Sequence, residues 1–203
     1  ARRELLTEEE RASLFGVPTE RAALARHYTL GPDDLDFLAA RRGDANRLGA
    51  ATWMALLRHP GFGLRHDETP PRELLAYLAD QLGLSETLFG AYGGRAKTRL
   101  EHGWDVATHL SVRGFEAGDV AFALDRAAQA AWATDQGLPI VHAVVEGLRE
   151  RGVILPASAR IERIGLAGRA RARKRALDAV AGAVTAEQAT ALDALLVQIP
   201  RPE

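Results

Sequence analysis

The sequence contains no cysteine among its 203 residues. Disulfide bonds and thiolate chemistry are therefore excluded, and a reducing compartment, the cytoplasm, is the predicted location. No apolar run approaches the roughly 18 residues that a membrane-spanning helix needs. The charged and amphipathic start, ARRELLTEEERASLF, has no signal-peptide pattern. Since the chain opens on Ala rather than Met, we expect it to be part of a longer protein.

The sequence also lacks the spacings that catalytic and metal sites require. No two of its six histidines lie four residues apart, as the zinc ligands of H-E-x-x-H enzymes do, and it has no G-x-S-x-G nucleophile motif. A glycine-rich stretch, residues 90–98, is superficially similar to a phosphate-binding loop. In that motif Lys and Ser/Thr directly follow glycine, whereas Arg95 and Ala96 intervene here. We therefore predict a non-catalytic chain that holds no cofactor and no metal.

Helix start and stop signals occupy almost the whole chain. Thr7 and Glu10 have the spacing of a capping box, as do Thr185 and Gln188, and proline or glycine marks most of the other helix ends. The best strand candidate, residues 152–155, is too short to support a sheet. These signals predict an all-α protein of about ten helices.

The chain has enough apolar residues for a core and one clear break between helical segments. Hydrophobic residues make up 47% of the sequence, which is ordinary for a folded protein. The best linker candidate is GFGLRHDETPP, residues 61–71, because its glycines and prolines disfavour helix. It predicts two helical modules, a smaller one over residues 1–66 and a larger one over residues 70–203.

The stretch RRGDANRLG, residues 41–49, joins two predicted helices and gives the region 33–58 the form of a helix-turn-helix. In that motif the first turn of the second helix faces base edges in the major groove of DNA. Asn46 and Arg47 would lie there, and their side chains suit bidentate contacts with adenine and guanine. The alternative is purely structural: the glycine ends one helix and Asp44 caps the next, because the residues that follow are apolar on nearly every helical face.

Positive charge is concentrated near the end of the chain. Residues 160–175 carry seven basic side chains and one acid, a charge of +6 against −7 for the remainder. On a helix, Arg169 and Arg173 share one side and Arg171, Lys174 and Arg175 the other, with alanines between them. Such a helix has no wide apolar face and suits a phosphate-lined groove. A solvated helix surface is the alternative, but we expect the segment to have no acidic partner face, so its charges would repel one another.

Several stretches of the chain resemble a known family. RHYTLGPDDLDFLAARRGDANRLG, followed by LLRHPGF, is similar to the N-terminal region of the Tn-three-family transposases, the large replicative enzymes of class II bacterial transposons. The similarity continues through LAYLADQLGL, GRAKTRLEHGWDVATHL and DQGLPIVHAVVEGLRERGVILPASARIERI. It spans about residues 4–166, in order and with plausible spacing, which is more specific than any single motif.

The resemblance implies that this helical region recognises the terminal inverted repeats at transposon ends. It also implies that the acidic catalytic triad, its magnesium ions and the RNase H-like fold belong to a C-terminal part absent from this chain. We therefore expect double-stranded DNA as the partner, in the bacterial cytoplasm, and no catalysis in this region. The predicted DNA-contacting residues are the basic and polar side chains that the resemblance covers, together with those of the basic segment: Arg41, Arg42, Asn46, Arg47, Arg58, Arg95, Lys97, Thr98, Arg99, His102, Arg160, Arg163, Arg169, Arg171, Arg173, Lys174 and Arg175.

A different class of function stays open beside DNA binding. The alanine-rich amphipathic helices predicted over residues 117–135 and 186–197 are suited to contacts between proteins. On this alternative the chain is a helical interaction module that assembles transposase subunits or docks a host factor.

Overall fold

The structure is a computed structural model that describes residues 4–64, 68–93 and 96–197. Within these ranges the chain forms ten α-helices and one 3-10 helix, and its extended segments make no more than a single β-bridge, between Arg113 and Val153. The all-α prediction of about ten helices is therefore confirmed. The helices are α1 (Glu8–Phe15), α2 (Arg21–Tyr28), α3 (Pro32–Ala39), α4 (Asp44–Arg58), α5 (Arg72–Leu82), the 3-10 helix (Glu86–Ala91), α6 (Ala96–His109), α7 (Ala117–Ala133), α8 (Gly137–Glu150), α9 (Ser158–Ala183) and α10 (Ala186–Val197).

The predicted capping box at the start of α1 is present. The Thr7 side chain accepts the Glu10 N–H at 3.1 Å, and the Glu10 carboxylate accepts the Thr7 N–H at 2.8 Å. The prediction that Asp44 caps α4 is wrong, because Gly43 holds the cap position with φ 88° and Asp44 is the first helical residue. Glycine adopts that backbone conformation without steric cost, so it both closes the turn and starts α4.

Helix α4 lies at the centre of a first hydrophobic cluster. It packs against α2, α3, α5, the 3-10 helix and α6, and Leu48 and Met54 are fully buried along it. The Tyr92 ring lies directly on the α4 backbone at Gly49, where a Cβ atom would come within 2.1 Å of the ring. Each fully buried aliphatic side chain stabilises the fold by about 1.5–3 kcal/mol. The expected burial of the apolar run after residue 48 is therefore confirmed.

A second hydrophobic cluster joins α7, α8 and α9 to the start of the chain. Leu6 packs among Ile140, Val144 and other buried aliphatic side chains of this cluster. Helices α7 and α9 approach closely because small residues line their contact: a Cβ atom at Gly168 would lie 2.3 Å from the Ala127 Cβ. The alanine-rich α7 thus uses its apolar face inside the fold.

The boundary between the two hydrophobic clusters does not coincide with the predicted linker. Leu57 and Leu74, on either side of residues 61–71, both belong to the first cluster, whereas Leu5 and Leu6 belong to the second. The two clusters are joined by backbone hydrogen bonds such as the Leu155 N–H to the carbonyl of residue 61, at 2.9 Å. The division into two DNA-binding modules stays a prediction. In the part of the chain that the structure describes, no helix has both the length and the apolar character needed to cross a bilayer.

Through His59, which is stacked on His27, we expect the stability of the fold to depend on pH. The His27 and His59 rings lie 4.0 Å apart between centroids. Burial first, and then electrostatic repulsion from His27 and Arg149, lower the pKa of His59 to about 4. The folded state therefore holds His59 neutral, whereas the unfolded chain protonates it below about pH 6.5. Stability is unaffected above that pH and falls as the pH decreases from about 6.5 to about 4.

We expect wild type to lose about 2 kcal/mol more unfolding free energy between pH 7.5 and pH 5.0 than His59→Gln, which cannot titrate. Urea denaturation at the two pH values measures this difference. The exposed His142 offers the control, because His142→Gln should keep the pH-dependent loss of wild type. An equal loss in His59→Gln and wild type would show that His59 does not carry this effect.

Candidate nucleic-acid interface

The turn between α3 and α4 brings together four of the predicted contact residues, Arg41, Arg42, Asn46 and Arg47. Arg41 forms an ion pair with Asp105 on α6 and lies 4.3 Å over the Phe37 ring. The Asn46 amide donates to the Arg42 carbonyl at 2.9 Å, and Arg47 donates to the Arg41 carbonyl at 3.4 Å. These bonds hold the turn in shape. The Arg42 side chain is exposed, and in the described part of the chain it has no side-chain partner.

Burial limits what α4 is able to present to DNA. Leu48 to Leu57 is buried except for Trp53, which is half-buried, whereas Asp44 is exposed and Asn46 and Arg47 are half-buried. A recognition helix usually lies along the major groove with an exposed face. Among the described residues of this helix, only the first turn and the exposed Arg58 at its end offer polar side chains outside the core. The exposed polar surface of α4 is therefore limited to its first turn and Arg58.

The Arg58 side chain, although 33% exposed, is held in an ion pair with Asp34. Its guanidinium donates to both carboxylate oxygens of Asp34, at 2.7 and 2.6 Å, and His109 contacts the same carboxylate at 3.2 Å. Burial alone would raise the pKa of Asp34, but hydrogen bonds from Arg58, the Gly31 N–H and His109 lower it to about 2. The Asp34 carboxylate is thus charged at neutral pH and holds α3, α4 and α6 together.

The predicted contact residues of α6 divide into packed and exposed ones, and Arg95 lies outside the described residues. Arg99 and His102 both pack on Tyr92, with the Arg99 guanidinium 5.3 Å from the ring centroid and the His102 Nδ1 3.2 Å from the hydroxyl. Burial lowers the pKa of His102, which favours the neutral ring. Lys97 is 83% exposed and pairs with Glu101 at 3.6 Å, and Thr98 is half-buried. On this helix the exposed cation is Lys97.

The basic segment lies in the second half of α9, and the expectation that it lacks an acidic partner face is wrong. Arg171 pairs with Asp125 of α7 at 2.7 Å, and Lys174 pairs with Asp178 of α9 itself at 2.6 Å. Asp135, just after α7, lies 3.9 Å from both Arg169 and Arg173. The sequence did not show this because Asp125 and Asp135 reach α9 only through the packing of α7 against it. Arg175 is exposed and has no such partner in the described part of the chain.

Arginines that sequence reasoning missed lie beside the start of α9. Arg160, which was predicted, lies 4.7 Å over the Phe115 ring, and Arg163 is exposed one turn further on. Next to them Arg113 binds Asp119, and Arg151 lies over the Phe122 ring. No spacing in the sequence points to this group, because its members come from three separate segments.

Comparison with known proteins identifies the family. Residues 5–167 match the family model described as a domain of unknown function, DUF4158. The chain belongs to the DUF4158 family. The match ends inside α9, so this DUF4158 domain includes Arg160 and Arg163, while the basic residues from Arg169 to Arg175 lie beyond the matched part.

Transposases are similar to the DUF4158 domain and to most of the chain around it. The chain is 35% identical to the transposase for transposon Tn501 of Pseudomonas aeruginosa and 37% identical to the transposase for transposon Tn21 of Escherichia coli. It is 28% identical to the transposase for transposon Tn1546 of Enterococcus faecium. These matches cover 96% of this chain and 20% of each relative. The chain therefore spans about a fifth of the length of these relatives, and the resemblance to the N-terminal region of Tn-three-family transposases is confirmed.

Proposed function

We propose that this DUF4158 domain recognises the terminal inverted repeats of a transposon as the DNA-binding region of a transposase. The observation that carries the proposal is the similarity to transposases over 96% of the chain. On this proposal the domain binds double-stranded DNA in the bacterial cytoplasm. Strand cleavage, with its magnesium ions, belongs to the part of the transposase that this chain does not span.

The geometry supports different roles for the polar and basic side chains. The first turn of α4 offers Arg42, Asn46 and Arg47 for sequence preference, because base contacts specify a site. Lys97, Arg163 and Arg175 are exposed and supply phosphate contacts. Arg41, Arg58 and Arg99 act indirectly, since their guanidinium groups hold the fold around the turn and α6.

Binding to DNA across a salt series tests this function. We expect the chain to prefer a duplex carrying the terminal inverted repeat over a scrambled duplex by at least about tenfold, with a steep decrease of affinity as salt rises. Arg47→Ala is expected to cost about 1–3 kcal/mol of discrimination at one base position. Absence of binding to either duplex at low salt would overturn the proposal. If Arg47→Ala lowers stability and leaves the preference intact, Arg47 serves the turn alone.

A second candidate function rests on exposed apolar side chains at the end of the chain. Leu177 and Val180 on α9 and Leu192 and Leu195 on α10 are each more than half exposed. Apolar exposure of this kind is typical of surfaces that contact another protein. Concentration-dependent association in sedimentation experiments, together with no DNA binding at low salt, would favour this interaction module over the DNA-binding region.

A further inference from the structure

Three side chains lie at or just before the start of α7. Asp119 and Phe122 are three residues apart on one side of α7, and Phe115 lies in the segment just before the helix begins at Ala117. Each carries an arginine from a different segment. Arg160 of α9 lies 4.7 Å over the Phe115 ring, Arg113 donates to both Asp119 oxygens at 2.7 and 2.8 Å, and Arg151 lies 4.3 Å over the Phe122 ring.

The three arginines at these side chains are not equally available to bind a ligand. Asp119 is 1% exposed, and its hydrogen bonds from Arg113 and from the Glu116 N–H hold its pKa well below the usual range. Arg113 therefore serves mainly to neutralise a buried carboxylate. Arg151 and Arg160 are exposed, and in the described part of the chain neither forms an ion pair with a carboxylate. This separates them from Arg169, Arg171, Arg173 and Lys174 of α9, which have acidic partners.

Stacking on an aromatic ring leaves an arginine ready to bind an anion. The ring occupies one face of the planar guanidinium, while the N–H groups at its edge stay free to donate to oxygen atoms. Because the ring already limits the rotamers of the side chain, less conformational entropy is lost when a phosphate binds. Arg160 also lies in the first turn of α9, where the helix dipole disfavours a cation unless an anion lies nearby.

We propose that Arg151 and Arg160, held on Phe122 and Phe115, form a clamp for the phosphate backbone of double-stranded DNA. The clamp rests on the proposed function, because it supplies phosphate contacts to the same DNA. It adds a contact surface on α7, α8 and α9 that is separate from the first turn of α4.

The test compares three double variants on a 30-base-pair duplex of random sequence, because phosphate contacts do not depend on sequence. In Arg151→Gln/Arg160→Gln we expect the slope of log affinity against log salt to become shallower by about 2, and the affinity at 100 mM salt to fall about tenfold or more. Arg151→Lys/Arg160→Lys keeps the charges and should keep most of the slope with weaker binding. The matched control, Arg21→Gln/Arg26→Gln, removes two exposed charges from α2 and should leave the slope within about 0.5 of wild type.

The outcomes separate the clamp from the proposed function. If wild type binds the duplex and the Gln variant keeps its salt slope and affinity, the clamp is overturned and DNA binding stands. If the Gln variant and the α2 control flatten the slope equally, the effect is one of net charge and the clamp is overturned as well. If wild type does not bind any duplex at 50 mM salt, the DNA-binding proposal itself fails and the clamp fails with it. Circular dichroism of each variant verifies that the helices are retained. If the Gln variant does not fold, the Lys variant, which keeps both charges, tests the clamp in its place.

Discussion

Replacing Asp34 by alanine is expected to lower the free energy of unfolding by about 3 kcal/mol. The Asp34 side chain is 7% exposed and binds Arg58 through both oxygens, at 2.7 and 2.6 Å. It also accepts the Gly31 N–H at 2.9 Å, which caps α3. Removing the carboxylate leaves Arg58 without its counter-charge and an N–H of α3 without its acceptor. Because the Arg58 side chain is 33% exposed, water recovers part of its hydration, so the lower end of the usual range for a broken buried pair is expected.

The neighbouring Asp33 is the matched control for this substitution. It lies in the same first turn of α3 but is exposed, so Asp33→Ala removes a helix-dipole contribution of about 0.3–1 kcal/mol and no buried contact. Urea denaturation of both variants measures the difference. In a double-mutant cycle, Asp34→Ala/Arg58→Ala should cost much less unfolding free energy than the sum of the two single substitutions, because the second substitution removes the unpaired cation. If Asp34→Ala costs no more than Asp33→Ala, the Asp34–Arg58 pair does not stabilise the fold and Arg58 is available for other contacts.

Gly168→Leu is expected to cost about 3 kcal/mol or more, because α7 and α9 have no room for a side chain between them. A Cβ atom at residue 168 would lie 2.3 Å from the Ala127 Cβ, 2.8 Å from the Ala127 carbonyl carbon and 2.9 Å from the Ala128 nitrogen. Two of these neighbours are backbone atoms, which are unable to rotate away. The helices would have to separate, exposing the buried side of Ala172 and the aliphatic residues around it.

Gly182 provides the control within the same helix. Nothing lies within 4 Å of a Cβ atom at that position, so Gly182→Leu should stabilise α9 slightly, by up to about 1 kcal/mol, through helix propensity alone. Thermal denaturation of the two variants is expected to shift the melting temperature in opposite directions. Equal shifts would show that the α7–α9 contact adapts to a side chain and is looser than its geometry indicates.

Sequence reasoning succeeded for features that depend on neighbouring residues. The capping box of Thr7 and Glu10, the glycine at residue 43 and the apolar run of α4 are read within a few positions of the chain, because helix signals act over one or two turns. The cap of α4 was assigned to the wrong residue by one position. The difference arises because Gly43, with its positive φ, supplies the cap backbone directly.

The candidate interface was less predictable, because a side chain's availability depends on what packs beside it. Nothing in the sequence distinguishes Arg58 and Arg171 from Arg151. In the structure, Arg58 and Arg171 pair with carboxylates, whereas Arg151 lies exposed over an aromatic ring. The partners Asp34, Asp125 and Phe122 lie on other helices. A prediction from residue type alone therefore includes basic side chains that are already held in ion pairs within the protein.

The sequence by itself determined the helical class of this protein, the burial of α4 and, through its resemblance, the transposase family that the comparisons confirm. The tertiary structure alone decided which arginines are held in ion pairs with carboxylates and which are exposed without one in the described part of the chain. Helix formation depends on hydrogen bonds and caps between residues close along the chain. An ion pair such as that of Arg58 with Asp34 depends on which helices lie together, and that is set by how their buried side chains pack.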